Sequence, residues 1–530
     1  MILKLIKTFA TLFAVFVIVS YNKRLSSLAV KITKKHGLRL LLCVSIVVIL
    51  SYVLLVSWYS VTRQFADHVE PNIASVSWLV TTGKDIYHGL NSADRYSLLY
   101  GPMLYIINGF ALRMLGPSLF SAKISGVLAA LLSVLCLFFT FQGITDSQTA
   151  FIYSAITILT LAMFDSISFW GRGDPLILLC VALGLLSVTR GSTLVATGSI
   201  AIALGISLNL KIHSLIYFLP ILIMLYLRSD IKHLFASIAA SITLALVPFL
   251  VTSNISMVNY TQWLYQAGEH GLSLDMLKET LDFLIFFSVP ILALGCLWCS
   301  HTYRFMKANK LYLSTLLISI AILLITASKP GAGRHHLIPL IPSLVYLAAI
   351  LIAEIRKSSN QAMIRRIVPQ IMIIIISAFL VTTFKTAIGR QKSMVKNLLK
   401  KSIWRIDEDI QRILVSYPNT SIGMGYGGNY EVTYYRPALV FAGNRLLVDA
   451  AALMDMQESG LDIPSQTLEA LDSCQTQIWL IPKGGRPFEI NNFYPPHNQL
   501  FSNRFRDVFL KRYKLREQTT YFDVWICKGM

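Results

Sequence analysis

Residues 65–105 read FADHVEPNIASVSWLVTTGKDIYHGLNSADRYSLLYGPMLY and follow an apolar run long enough to cross a bilayer. Two carboxylates, Asp67 and Glu70, therefore lie just beyond the end of a predicted membrane span. Ionisable side chains at a membrane are costly and usually serve a function. A segment rich in Tyr, Gly and Pro then returns the chain to the bilayer. This arrangement predicts an active site at the membrane surface that acts on a substrate delivered from the lipid.

The composition is that of a polytopic membrane protein. The chain has 530 residues, of which 55% are hydrophobic and only 14% are charged, and its mean hydropathy is +0.61. The net charge of +20 would favour nucleic-acid binding in a soluble protein. Here much of the Lys and Arg lies in short loops between apolar runs, as the positive-inside rule describes. We therefore predict no nucleic-acid partner.

Apolar runs of bilayer-spanning length recur along most of the first 390 residues. The predicted spans are 39–60, 119–141, 149–168, 173–189, 193–209, 211–227, 234–252, 281–299, 311–327, 336–353 and 368–385. A further apolar stretch at 5–20 resembles a signal peptide but has no evident cleavage site, so it is interpreted as an uncleaved span. The prediction is thus an all-α membrane domain of about twelve transmembrane helices.

The orientation of the spans follows from the basic loops, because Lys and Arg concentrate on the cytoplasmic side. The loops predicted to be cytoplasmic are 21–39, 228–233, 300–310 and 354–367. The segments predicted to lie outside are 61–118, 169–173, 253–280, 328–335 and everything after residue 386. Residues 98–115 are apolar, but counting them as a span would invert every later loop. They are therefore predicted to form an interfacial helix or a partly inserted hairpin.

Three regions follow from this pattern: an N-terminal apolar segment with a basic loop at 1–38, a membrane domain at 39–390 and a soluble domain at 391–530. In the last region the polarity rises, and a small extracytoplasmic α/β domain is predicted. Its predicted helices are 404–415 and 465–473, and its predicted strands are 421–426, 438–441, 477–481 and 520–527. Cys474 and Cys527 both fall in this domain, where an oxidising compartment would allow a disulfide.

Three further polar clusters stand at predicted outer span boundaries. In the sequence WGRGDP at 170–175, Asp174 and Pro175 also fit an ordinary helix start, a role that does not require Arg172. In NLKIH at 209–213, Lys211 and His213 are predicted to contact a lipid phosphate and its sugar, although a lysine at this depth also fits snorkelling to the interface.

The third cluster is the turn SKPGAGRHH at 328–336, which contains Lys329, Arg334 and His335. Its glycines let backbone amides approach a phosphate closely, and Lys329 and Arg334 flank them. Two adjacent histidines do not share a helix face, so phosphate or sugar contacts are favoured over a metal. No metal or other cofactor is predicted, although a divalent cation remains compatible with the sequence.

These clusters, taken in order with the YGPMLY element at 100–105, resemble the integral-membrane glycosyltransferases of the GT-C fold. The resemblance points to the bacterial branch that contains the lipid A aminoarabinose transferase and relatives of the protein O-mannosyltransferases. It covers about residues 39–385. Gly173, Gly333 and His335 depart from the residues common in that branch, which bears on sugar and acceptor specificity.

The resemblance implies an enzyme that moves a sugar from a polyprenyl phosphate to an acceptor hydroxyl, with inversion, at the outer face of a bacterial inner membrane. Asp67 or Glu70 would act as the catalytic base. The donor phosphate would be bound by Arg172, Lys211, Lys329 and Arg334. The substrate pocket would be lined by Tyr100, Tyr105, Asp174, His213 and His335. The implied acceptor is a surface glycolipid or polysaccharide, and a protein acceptor is the less favoured choice.

Two alternatives remain open at this point. A transporter or flippase of lipid-linked sugars would be expected to show related halves and midplane polar residues, whereas the polar residues here gather on one side. A polysaccharide ligase or polymerase would carry its large outer loop late in the chain, whereas here it comes early.

Overall fold

The computed structural model describes residues 38–297, 299–358, 404–494 and 498–529, with short pieces at 380–385, 388–389, 391–392, 395–396 and 399. The predicted span at 5–20 lies outside the described residues, and so does most of the one at 368–385. Of the three predicted regions, the N-terminal one at 1–38 lies outside the described residues except for residue 38.

The membrane region is built from helices joined by short turns. In chain order these are α1 (Leu38–Val61), α2 (Glu70–Thr81), α3 (Pro102–Leu115), α4 (Leu119–Gln142), α5 (Ser147–Ala162), α6 (Gly173–Arg190), α7 (Thr193–Leu210), α8 (Leu215–Arg228), α9 (Ile231–Val251), α10 (Met257–Gly268), α11 (Leu274–Leu297), α12 (Cys299–Ala308), α13 (Lys310–Ala327) and α14 (Ile341–Ser358). Helices occupy ten of the predicted span positions, 39–60 through 336–353.

Seven helical segments among the described residues are long and apolar enough to cross a membrane. They are Arg39–Val61, Leu119–Gln142, Gly173–Arg190, Thr193–Leu210, Ile231–Val251, Lys310–Ala327 and Arg334–Glu354. Helix α9 shows the lipid-facing character clearly, because only Ser237, Ser241 and Pro248 are buried in it. A helix that is apolar on its exposed faces needs lipid around it. The chain is an integral, multi-pass membrane protein.

The segment that follows α1 contains two short helices, α2, which was not predicted, and α3, which falls within the residues predicted as an interfacial helix or a hairpin. Helix α3 has 14 residues, which gives a length of about 21 Å at 1.5 Å per residue. This is too short for a hydrocarbon layer of about 30 Å, so residues 98–115 do not form a full span. Pro102 at the first helical position starts the helix without loss of a backbone bond.

The C-terminal region is a small α/β domain, as predicted. Its helices are α15 (Trp404–Ser416), α16 (Arg436–Phe441), α17 (Ala450–Glu458), α18 (Ser465–Asp472) and α19 (Asn503–Arg512). Its strands are β1 (Ile422–Met424), β2 (Ile478–Pro482), β3 (Tyr513–Gln518) and β4 (Phe522–Cys527). The sheet has the order β1-β2-β4-β3. Strands β1 and β2 are parallel, whereas β4 is antiparallel to both of its neighbours.

One secondary-structure prediction in this domain was wrong, and β3, α17 and α19 were not predicted. Residues 438–441 were expected to form a strand but belong to helix α16, in which Pro437 occupies an initial position. Proline has a backbone angle suited to a helix start, so the short apolar run continues a helix. Strand β3 was missed because its residues are mostly exposed, and so it lacks the alternation of buried side chains that marks a strand.

The structure pairs Cys474 with Cys527 in a disulfide, with 6.1 Å between the two Cα atoms. The bridge joins the turn after α18 to the end of β4. From the sequence, this disulfide was expected only if the domain faces an oxidising compartment. In the structure the fold brings the two cysteines together.

We expect loss of this bridge to lower the free energy of unfolding by about 4 kcal/mol, because a closed loop of this size restricts the unfolded chain. The sequence separation is 53 residues. The test is thermal unfolding of the detergent-solubilised Cys474→Ser/Cys527→Ser variant. Cys43→Ser, which changes an exposed free cysteine, is the control. Equal stability of the double variant and the wild type would contradict the expectation.

Candidate active site

Glu70 is fixed inside the protein by several donors. It begins helix α2 and is only 1% exposed. Its Oε1 accepts hydrogen bonds from the Tyr59 hydroxyl and from the backbone amide of Gly171, the latter at 2.8 Å. Its Oε2 accepts from the amide of Ala66 at 2.8 Å. These bonds join the first outer segment to the turn before α6, so Glu70 has a structural place in the fold.

Lys123 provides the countercharge for Glu70. Its ammonium lies in α4 and donates to the carbonyls of Thr62 and Gln64 at 2.7 and 2.6 Å. Lys123 thereby fixes the residues that directly follow α1, where the outer loop begins. Lys123 was not among the predicted site residues, because one lysine in an apolar helix carries no local sign of its partner.

Asp67 points in the other direction, toward the cations of the site. Its Oδ2 accepts from Arg172 Nη1 at 2.8 Å, and its Oδ1 lies 2.8 Å from His68 Nδ1. Burial would raise the pKa of Asp67, but His68 and Arg172 outweigh this and hold the pKa well below its usual range. Asp67 is therefore ionised and engaged with Arg172.

Arg172 and Lys211 form the centre of the site, linked by Asp174. Lys211 Nζ lies 2.6 Å from Asp174 Oδ1, and Arg172 Nε lies 4.0 Å from Asp174 Oδ2. All three side chains are at most 10% exposed. The result is a continuous chain of alternating charges, Asp67–Arg172–Asp174–Lys211, which we call the charge chain. The charges of the two carboxylates and the two cations compensate each other, as buried charges require.

Aromatic rings support the cations of the charge chain. The Arg172 guanidinium lies 4.2 Å from the centroid of the Trp170 ring and 5.7 Å from that of Tyr100. Lys211 Nζ lies 5.6 Å from the same Tyr100 ring. Ring faces attract cations at these distances. Tyr100, predicted to line the pocket, thus touches both cations.

Glycines at two close contacts explain how these segments meet. Gly101 packs against the end of α7, where its amide donates to the Leu210 carbonyl at 3.1 Å. A Cβ at Gly101 would lie 2.0 Å from the carbonyl oxygen of Asn209. Only glycine therefore allows the YGP element to lie beside Lys211. At Gly171 a Cβ would lie 2.9 Å from the Ala122 carbonyl oxygen, so the turn before α6 can reach Glu70 only without a side chain.

The predicted pocket residues surround the charge chain. His335 interacts electrostatically with Asp174 and Lys211. His213 stacks on His336, with ring centroids 4.8 Å apart. Tyr105 is fully buried next to Tyr100.

The other two predicted phosphate ligands already have other partners. Lys329 Nζ donates to the Ala267 carbonyl at 2.9 Å. Arg334 Nη1 lies 2.9 Å from Glu279 Oε1, and its guanidinium lies 5.2 Å from the Phe283 ring centroid. Neither makes a described contact with Arg172 or Lys211. The four predicted phosphate-binding cations therefore separate into a central pair and two residues held elsewhere.

The C-terminal domain reaches this site, which the sequence did not indicate. Arg436 Nη2 donates to the His68 carbonyl at 2.9 Å. The His68 ring meets the Phe493 ring at 5.2 Å between centroids. Tyr494 packs on Gly331, where a Cβ would lie 2.8 Å from the tyrosine ring. Asp455 of α17 interacts electrostatically with His68 and Arg172.

A metal centre is not evident in the part of the chain that the structure describes, where no group of three His, Cys, Asp or Glu side chains is placed to hold an ion. Arg172 and Lys211 are the side-chain cations at the centre of the site.

The arrangement of helices, outer loop and C-terminal domain defines a polytopic membrane protein of the GT-C glycosyltransferase fold, as the sequence resemblance implied. ArnT from Cupriavidus metallidurans bound to undecaprenyl phosphate is similar, with a TM-score of 0.54 at 11% identity over 93% of this chain and 98% of that chain. The apo form of the same protein gives 0.55 at 11% identity over 91% and 97%. No family model and no curated protein matches the sequence.

We expect Glu70→Gln to destabilise the protein by about 3 kcal/mol, because it leaves Lys123 without its countercharge and turns an acceptor into a donor. The measurement is thermal unfolding in detergent. Glu408→Gln, at an exposed position on α15, is the matched control. Unfolding of Glu70→Gln at the wild-type temperature would show that Glu70 has no structural role.

Proposed function

We propose that this protein is a glycosyltransferase that moves a sugar from a polyprenyl phosphate to a hydroxyl of a cell-surface glycolipid or polysaccharide. The charge chain carries the proposal, because it holds Arg172 and Lys211 side by side in a buried site on a GT-C fold. The solved structure of ArnT with undecaprenyl phosphate supports a lipid phosphate as the donor class.

The reaction needs cations where negative charge develops. As the bond between the anomeric carbon and the phosphate oxygen breaks, the electron pair leaves with the lipid phosphate. A planar guanidinium can bind two phosphate oxygens at once, and a buried cation stabilises such charge more strongly than an exposed one. Arg172 and Lys211 fit this role. Asp67 and Asp174 position them by ion pairs at 2.8 and 2.6 Å.

Lys329 and Arg334 have a smaller part in this proposal than the sequence implied. Both are engaged outside the charge chain, with Ala267 and Glu279. Tyr100, Tyr105, His213 and His335 surround the cations and are proposed to contact the sugar. Attack of the acceptor on the face opposite the phosphate would invert the anomeric centre.

A carboxylate must take the proton of the acceptor hydroxyl. Of the two acids selected from the sequence, Glu70 has both oxygens engaged by three donors. Burial raises the pKa of Glu70, but its carboxylate is already used to join the outer segment to the turn before α6. Asp67 faces the cations, although its ion pair with Arg172 makes it a weak base.

The site is proposed to work on the outer face of a bacterial inner membrane. The distribution of Lys and Arg among the loops supports this orientation of the outer segment and the C-terminal domain. The Cys474–Cys527 disulfide supports the orientation, because such bonds persist in oxidising compartments.

The direct test incubates purified protein with radiolabelled polyprenyl-phosphate sugars and a membrane-glycolipid extract. Label that moves to the acceptor in the presence of the protein and not in its absence supports a transferase. Binding of the lipid without transfer from any sugar donor would contradict the proposal and favour a transporter of lipid-linked sugars.

We expect Arg172→Lys to weaken binding of undecaprenyl phosphate about 10- to 100-fold, because a charged bidentate contact is lost. Arg334→Lys, the same change at a cation paired with Glu279, is expected to bind within about threefold of wild type. Affinity is measured by ligand-dependent thermal shift in detergent. Equal loss in the two variants would show that the phosphate site is not centred on Arg172.

A further inference from the structure

A buried ion pair within the C-terminal domain ties the start of helix α17 to Arg436, a residue that contacts the outer loop. Arg436 Nε lies 2.6 Å from Asp449 Oδ2, and both side chains are at most 1% exposed. Asp449 caps α17, and Arg436 also donates to the His68 carbonyl at 2.9 Å. The amide of Asp449 in turn donates to the Arg95 carbonyl at 2.9 Å. The start of α17 is thus fixed to the loop that carries Asp67.

Asp455 lies on this helix and is partly buried. Its backbone carbonyl is held by His270 Nε2 at 3.1 Å. Among the described residues, no donor forms a hydrogen bond with its carboxylate. The ionisable side chains that interact with it from the surrounding elements are His68, Arg172, Tyr100, Tyr105, Tyr494, Glu458 and Asp449. Asp455 is therefore a carboxylate with free acceptor capacity that interacts electrostatically with Arg172 of the charge chain.

The other acids near the charge chain each bind or pair with another group through their carboxylate. Both oxygens of Glu70 accept hydrogen bonds, from three donors in all, and Asp67 is bound to both Arg172 and His68. Asp174 bonds to Lys211 through Oδ1 at 2.6 Å; its Oδ2 accepts no hydrogen bond, but it lies 4.0 Å from Arg172 Nε. Asp449 is bound by Arg436. Each of these positions another group. An acceptor hydroxyl needs a carboxylate oxygen within hydrogen-bond reach that is not already occupied.

On the basis of the proposed transfer reaction, we propose that Asp455 is the base that removes the acceptor proton, so that the C-terminal domain completes the active site. The acceptor oxygen bonds to the anomeric carbon while its proton moves to the Asp455 carboxylate. The bond between the anomeric carbon and the phosphate oxygen breaks, and its electron pair stays on the lipid phosphate. Asp67 is then a positioning residue for Arg172.

The charge balance of the site favours this assignment. The donor phosphate carries two ester bonds and one negative charge, and it gains a second negative charge when the sugar leaves. Protonation of Asp455 removes one negative charge from the same buried region. The total charge near Arg172 and Lys211 therefore stays constant through the step, which avoids the cost of an uncompensated buried charge.

The acid–base character of Asp455 also fits. Burial raises its pKa to about 7, against the opposing effects of His68 and Arg172. A base is most effective when its pKa lies near the working pH. Because the carboxylate must be deprotonated to act, transfer should be fast above pH 7 and should fall about tenfold per unit below it. If Asp67 were the base, its lowered pKa would keep the rate constant over this range.

The experiment measures transfer from a radiolabelled polyprenyl-phosphate sugar between pH 5.5 and 8.5 for wild type, Asp455→Asn, Asp455→Glu and Glu469→Gln. Glu469 lies exposed on α18 and serves as the matched control. Undecaprenyl phosphate binding and thermal unfolding are measured for each variant. These controls separate a lost proton acceptor from a lost phosphate site or a misfolded chain.

The expected result is a loss of turnover of about 100-fold or more in Asp455→Asn, with lipid phosphate binding within threefold of wild type and no decline of the residual rate below pH 7. Asp455→Glu should regain part of the rate and its acid decline. Wild-type turnover and pH profile in Asp455→Asn would overturn the assignment while leaving the transferase intact. Absence of transfer by the wild type with every donor would overturn the proposed function and this assignment with it.

Discussion

The architecture depends on burying four charged side chains next to one another where the membrane helices meet the outer loop. An isolated ion costs several kcal/mol to bury, and only close partners offset this. Asp67, Arg172, Asp174 and Lys211 come from three separate segments, so the compensation exists only when those segments are together. The buried Glu70 and Lys123 impose a second constraint of the same kind on the opposite side of the loop. Charge compensation thus fixes the geometry that the hydrophobic helices alone leave open.

The sequence was sufficient to predict the features that depend on local patterns of residues. Apolar runs placed ten helices, and the polar clusters at their ends identified Asp67, Arg172, Asp174 and Lys211 before any contact was visible. The partners of these residues could not be read in the same way. Arg334 pairs with Glu279, 55 residues away, and Arg436 contacts the backbone of His68, which is 368 residues distant. Neither hydrophobic periodicity nor a sequence motif indicates contacts between residues so far apart in the chain.

The structure connects the C-terminal domain to the rest of the protein more closely than the sequence indicated. Its composition indicated a separate soluble unit after the membrane region. The structure instead joins it to the outer loop through Arg436, Phe493 and the backbone of Arg95. In the proposed reaction, a site between the membrane region and the C-terminal domain would hold the lipid donor from one side and a polar acceptor from the other. Specificity for the acceptor would then reside in residues of the C-terminal domain.

The central claim is that the lipid phosphate binds at the charge chain. The most direct test is an experimental structure of the protein with bound undecaprenyl phosphate. The account predicts phosphate oxygens within hydrogen-bond distance of Arg172 and Lys211, with Asp67 and Asp174 still beside these cations. A phosphate bound instead at Arg334 and Lys329, with the charge chain unoccupied, would contradict it.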